Sequence, residues 1–169
     1  METLESKRLV LRELKTEDFN DFWELSKNWK EAPGPDFDKF PIDEDGVKGF
    51  FDYCLTRNEN GRFIFLRAEE KIIGLISLNG MDENNQMDMG HIIHSSYQND
   101  DIDREALSMM IDYVFKTTET KTIITNNDPN KKQNNPLYSL GFVDRNENGG
   151  QLIMEKNNWR TNLWKMMMY

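Results

Sequence analysis

Three extended segments follow one another at residues 63–67, 71–78 and 87–93, with only short turns between them, before the chain reaches its longest amphipathic run. Connections this short suit hairpins, since a parallel crossover takes a dozen residues or more. After residue 93 the order changes. Ala106, Leu107, Met110, Ile111, Val114 and Phe115 recur at helical spacing and predict a helix over 103–116, and a strand over 121–126 follows it. Hairpins in the middle and a helical crossover after them imply an α+β fold with a mixed, mostly antiparallel sheet flanked by helices. A doubly wound parallel sheet is excluded.

The remaining elements are read outward from this centre. Residues 8–14 form an opening strand, and Thr16 offers an N-cap to a helix that starts with Glu17 and Asp18 and turns Phe19, Phe22, Trp23 and Ser26 to one face. Prolines at 33, 35 and 41 make the next stretch a loop. Val47, Phe50, Phe51, Cys54 and Leu55 then trace the apolar stripe of a second helix. Asp82, Glu83, Asn84 and Asn85 are turn residues, and Asn127-Asp128-Pro129-Asn130 breaks the strand before it. A short helix is expected over 136–140 with Pro136 at its first position. Strands over 142–145 and 151–155 flank Asn148-Gly149, a hairpin signal. The element order is therefore β-α-α-β-β-β-α-β-α-β-β, in one domain spanning residues 1–169. The apolar segment 159–169, with two tryptophans and three consecutive methionines, is expected to dock on its own domain or to join a homo-oligomer.

Composition narrows the function classes. The 169 residues carry 21 Lys+Arg against 30 Asp+Glu, a net charge of -9. That balance disfavours nucleic acid and anionic membrane surfaces and suits a cationic partner. One cysteine, Cys54, excludes an internal disulfide and a cysteine-rich zinc module, and with only His91 and His94 beside it no metal site is expected. Apolar runs such as 72–76 fall far short of the about 18 residues of a membrane span. The N-terminal residues lack the basic and apolar regions of a secretory signal, so a cytoplasmic protein is expected.

Several segments, in this order, resemble the GNAT family of N-acetyltransferases, particularly its branch acting on protein N-termini and amines. Lys7-Arg8-Leu9-Val10-Leu11-Arg12 is similar to that branch's opening strand, and Lys71-Ile72-Ile73-Gly74-Leu75-Ile76 to its central strand. Asp88-Met89-Gly90-His91-Ile92-Ile93-His94 resembles the strand that parts from its neighbour to admit the cofactor. Tyr97-Gln98 with Glu105-Ala106-Leu107 brackets the family's acyl-CoA loop and helix, and Asn130 with Leu140-Gly141-Phe142 matches its closing motif. The resemblance covers residues 7–156. It implies acetyl transfer from acetyl-CoA to a primary amine, by direct attack and without an acyl-enzyme. A cationic small molecule such as a polyamine or aminoglycoside, or a peptide N-terminus, would suit the acidic chain as acceptor.

The resemblance also assigns candidate residues. Asp88 stands where the family often carries a glutamate, and a carboxylate there can take the amine's proton directly or through water. His91 is the next candidate base, with His94 nearby; each also reads as a polar residue of a strand end. Tyr138 is the candidate acid for the departing thiolate, although it precedes Gly141 by three residues, and Leu137 holds the usual position four before. Cofactor contacts are assigned to Ile92, Ile93, Gln98, Asn99, Asp100, Asp101, Ile102, Asp103, Arg104 and Asn130. Lys131 and Lys132 form a basic pair that either steers a phosphate or is simply solvated. Trp23, Trp29 and Phe37 border the acceptor side of the fold, where aromatics are more often core than ligand contacts. The family loop has glycine or alanine where this chain has Asp101 and Asp103. Either these carboxylates cap the following helix, or they fill the anion site that phosphate would use, and acetyl-CoA is expected to bind weakly or with its pyrophosphate displaced from the helix end. The alternative to an enzyme is therefore a GNAT-fold binding module that has lost pyrophosphate binding.

Overall fold

Leu9 and Leu11 are fully buried while Val10 and Arg12 are only half-covered, the two-residue period of a strand with one face on a core. In the computed structural model, residues 2–27, 43–57, 61–67, 69–97, 101–126, 136–146 and 150–159 are described. The elements are β1 (Leu4–Glu5), β2 (Leu9–Arg12), α1 (Phe19–Ser26), α2 (Glu44–Thr56), β3 (Gly61–Leu66), β4 (Lys71–Met81), β5 (Gln86–Ile93), α3 (Ile102–Thr117), β6 (Thr122–Asn126), α4 (Pro136–Ser139), β7 (Val143–Asp144) and β8 (Gln151–Glu155). The strands form one eight-stranded sheet in the order β1-β2-β3-β4-β5-β6-β8-β7. β5 and β6 run parallel, whereas the β1/β2, β2/β3, β3/β4, β6/β8 and β7/β8 pairs are antiparallel. This is the α+β, mixed and mostly antiparallel sheet expected from the hairpins and the single crossover helix.

The start of the chain differs in detail from the sequence reading. The opening strand covers only Leu9–Arg12, and a short β1 precedes it. Thr16 does not cap α1; Thr16–Asp18 form a 3₁₀ turn instead. Asp18 organises this corner, accepting from the Lys15 amide at 2.7 Å and from two Arg12 nitrogens at 2.8 and 2.9 Å. A planar guanidinium matches a carboxylate with two charge-assisted bonds, which outcompete the single bond a threonine hydroxyl offers. The Arg12 guanidinium also lies 3.6 Å from the Phe65 ring centroid.

The chain folds as two compact units, residues 1–77 with 91–102, and residues 78–90 with 103–169. In the first, Leu14, Phe22, Leu25, Val47, Phe51, Phe63, Phe65, Ile72 and Ile92 make the core. Phe22 is central, with ring centroids 5.2 Å from Phe51 and 5.6 Å from Phe63. The expected stripe of α2 is the buried one: Val47 and Phe51 lie in this core, and Phe50, Cys54 and Leu55 pack against it. Asp43 caps α2 by accepting from the Gly46 amide at 2.8 Å. The register of β3 with β4 shifts at Ile64/Phe65, and opposite that shift the Ile72 amide donates to Asp21 of α1 at 3.1 Å. Gly74 is fixed by close approach. A Cβ there would lie 2.5 Å from the Ile92 carbonyl oxygen, so β4 meets β5 at a spacing only glycine allows.

In the second unit, Asp82 builds the β4–β5 turn by accepting from the Asn84 and Gln86 amides at 2.9 and 2.8 Å, and these bonds hold its carboxyl below the usual range. Along α3, Ala106, Leu107, Met110, Ile111, Val114 and Phe115 are buried as their spacing predicts. Leu140-Gly141-Phe142 is the cap of α4. The Phe142 amide donates to Leu137 O at 3.0 Å, the Gly141 amide donates to Tyr138 O at 3.0 Å, and Gly141 has φ +96°. These two bonds define a Schellman motif, which puts glycine at the left-handed residue after the helix. β7 pairs with β8 through Val143↔Ile153 and Asp144↔Leu152. Asn148 and Gly149 lie outside the described residues, as do the loop at 33–41, Trp29 and Phe37. Trp159, the first residue of the apolar extension, is 1% exposed; residues 160–169 lie outside the described residues. No helix among the described residues is long and apolar enough to cross a membrane.

Candidate active site

The parallel ladder between β5 and β6 is short: Gln86↔Thr122, Met87↔Ile123 and Asp88↔Ile124. β6 continues to Asn126 in register with β8, and β5 continues to Ile93. Asp88 therefore occupies the last pair of the ladder. It is half-buried, and one of its carboxylate oxygens accepts from Asn79 Nδ2 at 3.2 Å. That bond comes from the β4 side of the hairpin, and among the described residues none bonds the second oxygen, whose lone pairs can take a proton. Asn79 did not stand out in the sequence; the turn at residues 82–85 was the available signal, because a tight hairpin sets which β4 residue faces Asp88.

His91 lies three positions further along β5. Odd separations on a strand put side chains on opposite faces, so Asp88 and His91 do not share one. His91 is half-buried, and desolvation pushes its pKa down to about 4. The imidazole is neutral at pH 7 and a weak base. His94 follows the strand; its amide donates to Ile73 O at 2.8 Å and its Nδ1 accepts from the Ser96 amide at 3.2 Å. Ile92 and Ile93 are buried at 9% and 5% exposure, and Ile92 belongs to the core of the first unit.

Tyr138 donates its hydroxyl to Asp144 Oδ1 at 2.7 Å. Leu137, at the family's usual tyrosine position, is fully buried. The short α4, started by Pro136 and stopped by Gly141, thus turns the leucine to the core and leaves the phenol half-buried and held by a carboxylate.

At the start of α3, Asp101 has φ +56°, in the left-handed region. Non-glycine residues are uncommon there, although aspartate tolerates it better than most. The position that carries glycine in the resembled loop thus keeps a backbone that favours glycine. Ile102 is buried. Asp103 is 9% exposed, and its Oδ1 accepts from the Arg104 amide at 2.7 Å. A first-turn amide that an incoming anion would use is engaged by the chain's own carboxylate. The Arg104 side chain is exposed. Gln98, Asn99, Asp100, Asn130, Lys131 and Lys132 lie outside the described residues. Trp23 is half-buried and packs against the core of the first unit. Cys54 also packs there, and burial pushes its thiol up to about 12, which removes it as a nucleophile at neutral pH.

Comparison with known proteins bears on the fold and the family. The sequence profile of the acetyltransferase (GNAT) domain matches residues 8–143. No curated protein matches the chain. Among solved structures, an acetyltransferase of the GNAT family from Bacillus anthracis is 15% identical with a TM-score of 0.77, over 92% of this chain and 99% of that one. A ribosomal-protein α-N-acetyltransferase in complex with coenzyme A is 15% identical with a TM-score of 0.69, over 93% and 99%. A microcin self-immunity acetyltransferase in complex with acetyl-CoA and AMP is 21% identical with a TM-score of 0.65, over 88% and 91%. These likenesses concern the fold; the profile match, which spans most of the sequence from the opening strand to β7, shows that the chain belongs to the GNAT acetyltransferase family.

Proposed function

We propose that this GNAT-family chain transfers an acetyl group from acetyl-CoA to a primary amine, by direct attack of the amine on the thioester. The observation that carries the reading is the half-buried Asp88 carboxylate at the last pair of the β5–β6 ladder, with Asn79 on one of its oxygens. In this reading Asp88 takes a proton from the acceptor's ammonium, directly or through a water, because aspartate is one methylene shorter than glutamate. The freed nitrogen lone pair attacks the carbonyl carbon; the C–N bond forms, the nitrogen gives its second proton to solvent, the C–S bond breaks with its electron pair on sulfur, and the thiolate is protonated by Tyr138 or by solvent. Backbone groups of Ile92 and Ile93 and the start of α3, from Asp101 to Arg104, hold the acetyl-CoA. A cationic acceptor fits the net charge of -9. The solved relatives named for ribosomal-protein and microcin acetylation support an amine acceptor of peptide or small-molecule type.

A second reading has one observation in its favour. Asp103 already occupies the Arg104 amide, and Asp101 adds another negative charge at the end of α3 where a pyrophosphate would sit. On that reading the chain is a binding module of GNAT fold that no longer takes acetyl-CoA. Thermal melting with and without acetyl-CoA, followed by thiol release with a polyamine, an aminoglycoside and a peptide with a free N-terminus, separates the two. An acetyl-CoA-dependent rise in Tm and amine-dependent thiol release are expected. No rise in Tm at millimolar acetyl-CoA favours the binding module.

A further inference from the structure

Residues 94–97, directly after β5, belong to a small cluster that the proposed chemistry does not use. Ser95–Tyr97 form a 3₁₀ turn directly after β5, and the Tyr97 hydroxyl donates to Glu69 Oε2 at 3.1 Å. The Tyr97 ring meets His94 edge to face, with centroids 5.7 Å apart. His94 is itself held, through its amide on Ile73 O and its Nδ1 under the Ser96 amide. Glu69 lies on the tight turn between β3 and β4, where its amide donates to Leu66 O at 3.3 Å. The next residue, Glu70, has φ +50°, a left-handed backbone that a long side chain rarely adopts. Strain of this kind persists only where the surroundings over-determine it. Burial and the neighbouring Glu69 raise the Tyr97 hydroxyl's pKa, so it remains a proton donor across neutral pH. In the chain, Tyr97 lies four residues after Ile93 and four before Asp101, between two stretches assigned to the cofactor.

We propose that Tyr97 is a positioning residue for acetyl-CoA: its hydrogen bond to Glu69 anchors the 3₁₀ turn after β5 on the β3–β4 turn and so supports the end of β5 against which the cofactor is held. This inference rests on the acetyl-transfer reading. Its test is a set of variants, Tyr97→Phe, Glu69→Ala, the double variant and Glu69→Gln, measured for acetyl-CoA binding, for KM and kcat, and for Tm. Removing the bond should raise Kd and KM for acetyl-CoA by about threefold to tenfold, with kcat within about twofold and little change in Tm. The double variant should be no worse than either single one, and Glu69→Gln, whose amide oxygen still accepts, should restore binding. If the wild type binds acetyl-CoA and the variants bind it equally well, or lose affinity only in step with Tm, the positioning role is overturned. If the wild type does not bind acetyl-CoA at all, the acetyl-transfer reading falls and the inference falls with it.

Discussion

Asp88 and His91 are both titratable and lie three residues apart, yet strand geometry turns them to opposite faces and their surroundings differ. One is a carboxylate with an amide on one oxygen; the other is an imidazole whose pKa burial lowers to about 4. An imidazole that weak accepts a proton from an ammonium less readily than an ordinary histidine, and the case for Asp88 as the base rests on its place at the last pair of the β5–β6 ladder and its bond to Asn79. Asp88→Asn should therefore lower kcat for amine acetylation by about 100-fold or more, the scale of a lost general base, with little effect on acetyl-CoA binding. Tyr138→Phe should cost less, because its hydroxyl is already engaged by Asp144 and leaves the thiolate to be protonated largely by solvent. A steady-state assay of the purified variants checks both; a wild-type rate in Asp88→Asn would move the base to His91.

Element packing supplies what single residues do not. Gly74 lets β4 approach Ile92 so closely that a methyl group would meet the Ile92 carbonyl oxygen at 2.5 Å, with Ile64 and Ile93 side chains at 3.0 and 3.1 Å. A backbone oxygen cannot swing aside as a side chain can, so Gly74→Ala should destabilise by about 3 kcal/mol, the upper end for overpacking, as read by urea unfolding. An unchanged midpoint would mean that β5 is free to shift. At the start of α3, replacing both Asp101 and Asp103 by glycine should tighten acetyl-CoA binding by about tenfold, most clearly at low salt. A like-charge pair at about 5 Å and an effective dielectric near 20 costs about 3 kcal/mol, and solvent and salt reduce it by about half. The Asp101→Gly half also removes a left-handed non-glycine worth about 1 kcal/mol of strain. Titrations at two salt concentrations decide this: equal affinities at both would mean that the carboxylates point away from the bound pyrophosphate. The stripe of α3 was legible in the sequence because burial follows a 3.6-residue period, and the cap of α4 because glycine marks it. The left-handed backbone at Asp101 and Glu70 was not, because aspartate and glutamate carry no comparable mark.

At the scale of the molecule, short turns and one long crossover helix were enough to read a mixed sheet, since they restrict which strands can be neighbours and in which direction. Site detail was less legible, because Asn79 beside Asp88 and Glu69 beside Tyr97 follow from the exact register of hairpins and the conformation of turns. The opening corner misled for a related reason: Thr16 has the composition of a cap, but Arg12 and Asp18, six residues apart, form a stronger pair. His91 links the site to the stability of the fold as a whole. Its folded pKa of about 4 lies below the ordinary value of 6.5 that it regains on unfolding. Well above pH 6.5 it is neutral in both states and has no effect on the balance. As the pH falls below that value the unfolded chain takes up a proton that the folded chain refuses, so stability falls, with a slope approaching about 1.4 kcal/mol per pH unit until the folded imidazole is itself protonated near pH 4. Ordinary carboxylates begin to titrate at the lower end of that range, so the measurement belongs between about pH 5 and 7.5. His91→Asn removes the imidazole and keeps a polar side chain of similar size. Over this range the variant's unfolding free energy should fall less steeply towards acid than that of the wild type, whatever its stability at pH 7.5. Parallel curves for the two proteins would mean that the folded imidazole takes up its proton as readily as the unfolded one. His91 would then be an accessible base of ordinary strength and a direct competitor to Asp88 for the acceptor's proton.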